Sequence, residues 1–207
     1  MNEQSSISLN DPKVLLDERL IDGNIIRTIQ EAINKRRVYN SSLFLYLEEH
    51  PYTGIVTGQT EDTLVRKYWK SNYRLREKNR QLIHELDEML GRFLIVEHFN
   101  YSTLQEGMKG VEDFFKEMLE EKKPMMVARR YRGLMSSLET SQDSITSPDE
   151  KDKKCMAEAA VLSKKYKQML LASPSPIFTN PYVSNRIEEK LRFTCGDADY
   201  VLTKLPK

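Results

Sequence analysis

Cysteine, tryptophan, glycine and proline are all scarce in this chain of 207 residues, which holds 2, 1, 8 and 8 of them. Each scarcity closes off a class of protein. Cys155 and Cys195 stand far apart in stretches of different character, so they form neither a zinc-like pair nor a disulfide framework. Reduced thiols are expected. With so few glycines, phosphate-binding loops are missing as well. Gly54-Ile55-Val56-Thr57-Gly58 is too short and lacks the lysine, and there is neither a dinucleotide fingerprint nor a Gly-x-Ser-x-Gly elbow.

Two further absences concern the membrane. The stretch from Met1 to Asp11 is polar and has no apolar signal core. No window approaches 18 consecutive apolar residues, so no membrane span is expected. An excess of charge of one sign is also missing. The 32 basic and 31 acidic residues leave a net charge of +1, which provides no long-range steering toward nucleic acid or lipid. Histidine is limited to His50, His84 and His98, too few for a site of three or four converging ligands. These gaps predict a chain with no catalytic residues, no cofactor and no metal.

What is present is charge and helical periodicity. Charged residues reach 30% against 39% hydrophobic, a balance that suits long, partly exposed helices better than a thick core. Residues 1–20 read as a loosely ordered start, with Asp11-Pro12 able to open a short helix. The segment 21–138 reads as a helical core. Ile26, Ile29 and Ile33 share one helix face, and His50-Pro51 and Gly54 punctuate the chain before the strongest pattern begins.

That pattern runs from Glu61 to about His98. In heptad notation, position a takes Val65, Asn72, Asn79, Leu86 and Phe93, and position d takes Tyr68, Leu75, Leu82, Met89 and Val96. Such a register predicts one long helix of roughly 55 Å with a buried seam, paired with a partner helix. Asn72 and Asn79 at a positions would fix register and strand number. Capping signals at Ser102 to Glu106 predict a second helix to Lys122. Pro124 would open a third, so the rod enters an antiparallel bundle.

Residues 139–150 are polar and read as a flexible linker. A helix is expected over 151–172. The proline-containing tail, 173–207, holds two β-favouring runs, Leu191 to Cys195 and Tyr200 to Leu202, which allow a small hairpin across Gly196-Asp197. The expected fold is therefore mostly α: a long coiled-coil helix leading into an antiparallel helical bundle, with a C-terminal β-hairpin.

The function that follows is non-catalytic. The chain reads as a scaffold or adaptor subunit of a eukaryotic multiprotein complex, pairing through the ten heptad residues as a homodimer or heteromer. A second reading is a nucleic-acid-associated regulatory protein using Arg129, Arg130 and Arg132, whose cations flank Tyr131. Ser147, Ser173 and Ser175 each precede proline and are candidate phosphorylation sites. With the basic clusters, they suggest an intracellular protein of the nucleus.

Overall fold

The computed structural model describes residues 9–33, 42–69, 76–132 and 148–206. Its centre is a five-stranded parallel sheet, which overturns the all-α expectation. The strands are β1 (Lys13–Leu16), β2 (Gly54–Thr57), β3 (Leu94–Glu97), β4 (Met169–Ala172) and β5 (Thr194–Gly196). Among the described residues they alternate with helices α1 (Glu18–Ile33), α2 (Ser42–Glu49), α3 (Gly58–Trp69), α4 (Arg76–Arg92), α5 (Tyr101–Arg132), α6 (Glu150–Leu162), α7 (Pro176–Thr179), α8 (Pro181–Leu191) and α9 (Ala198–Leu202). Alternation of this kind is what a parallel sheet demands, because each crossover must return the chain to the same end.

The sheet order is β3-β2-β1-β4-β5. The chain starts in the centre, builds outward through β2 and β3, then crosses back to place β4 against the other edge of β1. The strands are only three or four residues long and mostly buried. Side chains alternate between two cores. Leu15, Ile55, Ile95, Leu171 and Cys195 face the layer that includes α5, α6 and α8. Val14, Leu16, Val56, Leu94, Leu170 and Ala172 face the layer that includes α1 to α4 and α9. Both faces of the sheet are covered, so its strands carry apolar runs in place of a polar alternation.

The single long helix expected over 61–98 is three elements. α3 ends at Trp69, α4 spans Arg76–Arg92, and the chain then becomes strand β3. The apolar period was real, but a helix face carries no mark of what it packs against. Here Tyr68, Leu82, Leu86, Met89 and Phe93 pack onto the sheet of their own chain. The Leu94-Ile95-Val96 run, rich in β-branched residues, favours strand over a further helical turn.

Other expectations change for related reasons. Asp11-Pro12 leads into β1 and not into a helix, since Lys13–Leu16 pairs with both β2 and β4. The helix expected over 151–172 stops at Leu162, and its final residues form β4. The tail makes no hairpin: Thr194–Gly196 pairs in parallel with β4, and Asp197 caps α9 through a bond from the Tyr200 N–H at 2.8 Å. α5 continues through Pro124 to Arg132 without the expected break, and its entry is capped by Asn100, whose side chain accepts from the Thr103 N–H at 2.9 Å.

Candidate functional site

In an open parallel sheet, ligands bind outside the carboxyl ends of the strands, where successive connections diverge to opposite sides. That switch point lies between β1 and β4. The residues leaving the two strands are Asp17 and Ser173, and the strands are tied there by a bond from the Asp17 N–H to the Ala172 carbonyl at 3.0 Å.

Asp17 begins the site because it ends a strand and opens a helix. Its Oδ1 accepts the backbone N–H of Arg19 at 2.8 Å, satisfying a free donor of the first turn of α1. Its Oδ2 accepts from Ser173 Oγ at 2.6 Å, and the Ser175 N–H in turn donates to Ser173 Oγ at 3.2 Å. Both Asp17 and Ser173 are fully buried.

Arg19 closes the network. One terminal nitrogen donates to Asp17 Oδ2 at 2.6 Å and to Asp152 Oδ1 at 2.7 Å. The other lies 3.8 Å from Asp149. Asp149 and Asp152 are the two members of the capping box of α6, so one guanidinium binds the entrances of α1 and α6 together. Lys151 adds a contact to Glu18 at 3.3 Å across the same junction.

The electrostatics follow from this geometry. Burial pushes the Asp17 carboxyl up, but the bonds from Arg19 and Ser173 outweigh it and hold the carboxyl below its ordinary range. The bond to Asp17, followed by that to Asp152, drives the Arg19 guanidinium further toward its charged form. Cys155, in the second turn of α6, is buried. Desolvation, and then the neighbouring Asp17 and Glu158, push its thiol well up, which makes it a poor nucleophile. Burial likewise pushes Cys195 up to about 12. Both cysteines are free.

A concavity of about 310 Å³ lies beside the edge strand β3, lined by Glu97, His98, Asn100, Thr103, Lys165, Val161 and Leu162. Its Glu97 carboxylate accepts from Lys165 Nζ at 2.6 Å and also from the Tyr166 hydroxyl. Asn100 Oδ1 accepts from the Thr103 hydroxyl at 2.5 Å on the same rim. Among the described residues, no group of three or more His, Cys, Asp or Glu side chains is arranged to hold a metal ion.

The residues expected from sequence fall elsewhere. Of the ten heptad positions, Tyr68, Leu82, Leu86, Met89 and Phe93 are buried within the chain, and Val65 packs against the same core. Val96 sits in β3. Asn72 and Leu75 lie outside the described residues, as does the side chain of Asn79. Arg129, Arg130 and Arg132 occupy the last turns of α5, and their side chains also lie outside the described residues. Ser147 lies outside them too, whereas Ser173 and Ser175 are buried at the switch point. Modification of either of those two serines requires the β4–α7 connection to open first.

Sequence reading missed Asp17, Arg19 and Asp152 altogether. The available signal was a three-residue apolar run, Val14-Leu15-Leu16, followed by the acidic Asp17, a pattern that marks a buried parallel strand only once its neighbours are known.

No helix among the described residues is long and apolar enough to cross a membrane. Comparison with protein-family models finds none that matches the chain, and comparison with curated proteins finds no match either.

Proposed function

We propose that this chain is a non-catalytic scaffold or adaptor subunit of a eukaryotic multiprotein complex, acting through its surface and not by turnover at the sheet crevice. The observation that carries the reading is the Arg19 guanidinium between Asp17 and Asp152. Carboxylates that emerge at a switch point are free for chemistry only if they lack a counter-ion. Here the counter-ion is supplied by the chain itself, and the serine beside it is spent on Asp17.

The surface offers an element for binding. α5 has 32 residues and runs about 48 Å, while its neighbour α6 has 13 and runs about 20 Å. The last side chain that α5 buries, among the described residues, is Met118. On this reading the excess length of α5 over α6 is the element offered to a protein partner, either a second copy or a different subunit. The basic clusters of the sequence favour a nuclear setting on this reading.

The test is a turnover screen. The full-length protein is assayed on phosphomonoester, phosphodiester and carboxylic-ester probes, with and without Mn²⁺. No rate above background is expected. A saturable rate that disappears in Asp17→Asn would overturn the reading.

A second reading gives the end of α5 a nucleic-acid partner. It is favoured by Arg129 and Arg132 standing three apart on one helix, with Arg130 and Tyr131 between them. Fluorescence anisotropy with a labelled duplex measures it. Binding that weakens steeply with salt, and that is lost in Arg129→Glu/Arg130→Glu/Arg132→Glu, would favour this partner over a protein.

A further inference from the structure

Glu158 is a carboxyl that the switch-point network does not use. It sits in the middle of α6, is 1% exposed, and accepts from Thr57 Oγ1 at 2.9 Å. Thr57 is the last residue of β2 and is fully buried. Its hydroxyl oxygen also lies 3.2 Å from Thr60 Oγ1 and accepts the Thr60 backbone N–H at 3.2 Å, capping the first turn of α3. A threonine hydroxyl has one proton, so Thr57 cannot donate to both Glu158 and Thr60.

The two protonation states of Glu158 resolve that conflict in opposite directions. An ionised Glu158 accepts only. It takes the Thr57 proton, and the Thr60 hydroxyl must turn to donate to Thr57. A protonated Glu158 donates to Thr57, and Thr57 donates onward to Thr60. In both states the Thr57 oxygen receives two hydrogen bonds, so its own bonding is preserved when the chain reverses. We propose that Glu158, Thr57 and Thr60 form a proton-set switch that ties the seat of α6 on the β2–α3 junction to pH.

Burial favours a neutral Glu158 carboxyl, and the charged groups around it act in both directions. Lys154, one turn earlier on α6, has its Nζ 3.8 Å from Oε1 and favours the ionised form. Asp17 at the end of β1 and Glu18 at the start of α1 oppose ionisation, while β2 and α3 present the hydroxyls of Thr57 and Thr60. Burial is the largest influence, and with the two carboxylates it pushes Glu158 up to about 7. For an acid raised in the folded state, stability is greatest below the unfolded value of 4.5, falls as pH rises through the interval to 7, and stays reduced above it. The folded state above neutrality therefore contains a buried carboxylate that relies on Lys154.

The experiment is chemical denaturation of the full-length chain from pH 5 to pH 8, with Glu158→Gln as reference. From the raised value of about 7, the folding equilibrium constant of the wild type relative to Glu158→Gln should fall by roughly seventyfold over that range. Direct NMR titration of the Glu158 carboxyl carbon should give a midpoint near neutrality. In Thr57→Val, which removes the hydroxyl donated to the ionised form, that midpoint should move higher. Parallel pH curves for wild type and Glu158→Gln, a midpoint below about 5, or a midpoint indifferent to Thr57→Val would overturn the proposal.

Discussion

Replacing Arg19 with methionine keeps an aliphatic stem and removes the charge. Asp17 then stays fully buried without its ion pair, and Asp152 loses a partner too. Breaking one side of a buried pair is costly, so Arg19→Met should destabilise the fold by about 3 kcal/mol in urea denaturation. A loss well under 1 kcal/mol would mean that the crevice is wet and the pair weak. The pH dependence has a definite sign. The Asp17 carboxyl is held below its unfolded value of 3.8, so its contribution is present above that value and is lost as pH falls through the folded one. Asp17→Asn should flatten the acid limb of the stability curve, while the Glu158 dependence, set mainly by burial, persists with its midpoint moved down. None of these roles was legible in sequence. Asp17 and Asp152 are separated by most of the chain, and an arginine two residues after an aspartate is unremarkable until a strand end and a helix end bring the carboxylates together.

The elements were legible to different depths. α5 and α6 were foreseen in outline, because capping residues and a helical period are local properties. The sheet was not, because its strands are four residues or fewer and pair only across long separations. Leu82, Leu86, Met89 and Phe93 kept a period that fits a coiled coil and a sheet-docked helix equally well. Mutation separates the two. Leu86 is fully buried against the sheet, so Leu86→Ala should cost about 3 kcal/mol of folding stability with no change in molecular mass. A coiled-coil seam would respond with a change of mass at modest loss of folding. Gly54 in β2 offers a second probe. A Cβ there would meet Leu94 Cδ2 at 2.5 Å and Leu47 Cδ1 at 3.2 Å, so Gly54→Ala should overpack the β2–β3 contact. A cost of about 1 to 3 kcal/mol is expected by thermal denaturation, and Leu94→Val should recover part of it.

At the scale of the whole molecule, both faces of the sheet are covered by helices of the same chain, and of the stripe that suggested a partner, Val65, Tyr68, Leu82, Leu86, Met89 and Phe93 pack into that covering. Near-neutral net charge fits this arrangement, since it favours neither polyanion nor membrane across the surface as a whole. On the reading proposed above, recognition falls to the end of α5, while Arg19 fastens the acidic helix entrances at the switch point. That fastening is the central claim, because it assigns the place where an α/β sheet ordinarily binds its ligand to an internal ion pair. The most direct measurement is a calorimetric titration of the full-length protein with Mn²⁺ near neutral pH. With Arg19 holding Asp17 and Asp152, no saturable heat is expected up to millimolar ion. Saturable binding at micromolar ion, abolished in Asp17→Asn, would show that the carboxylates are available to an external cation and would contradict the account.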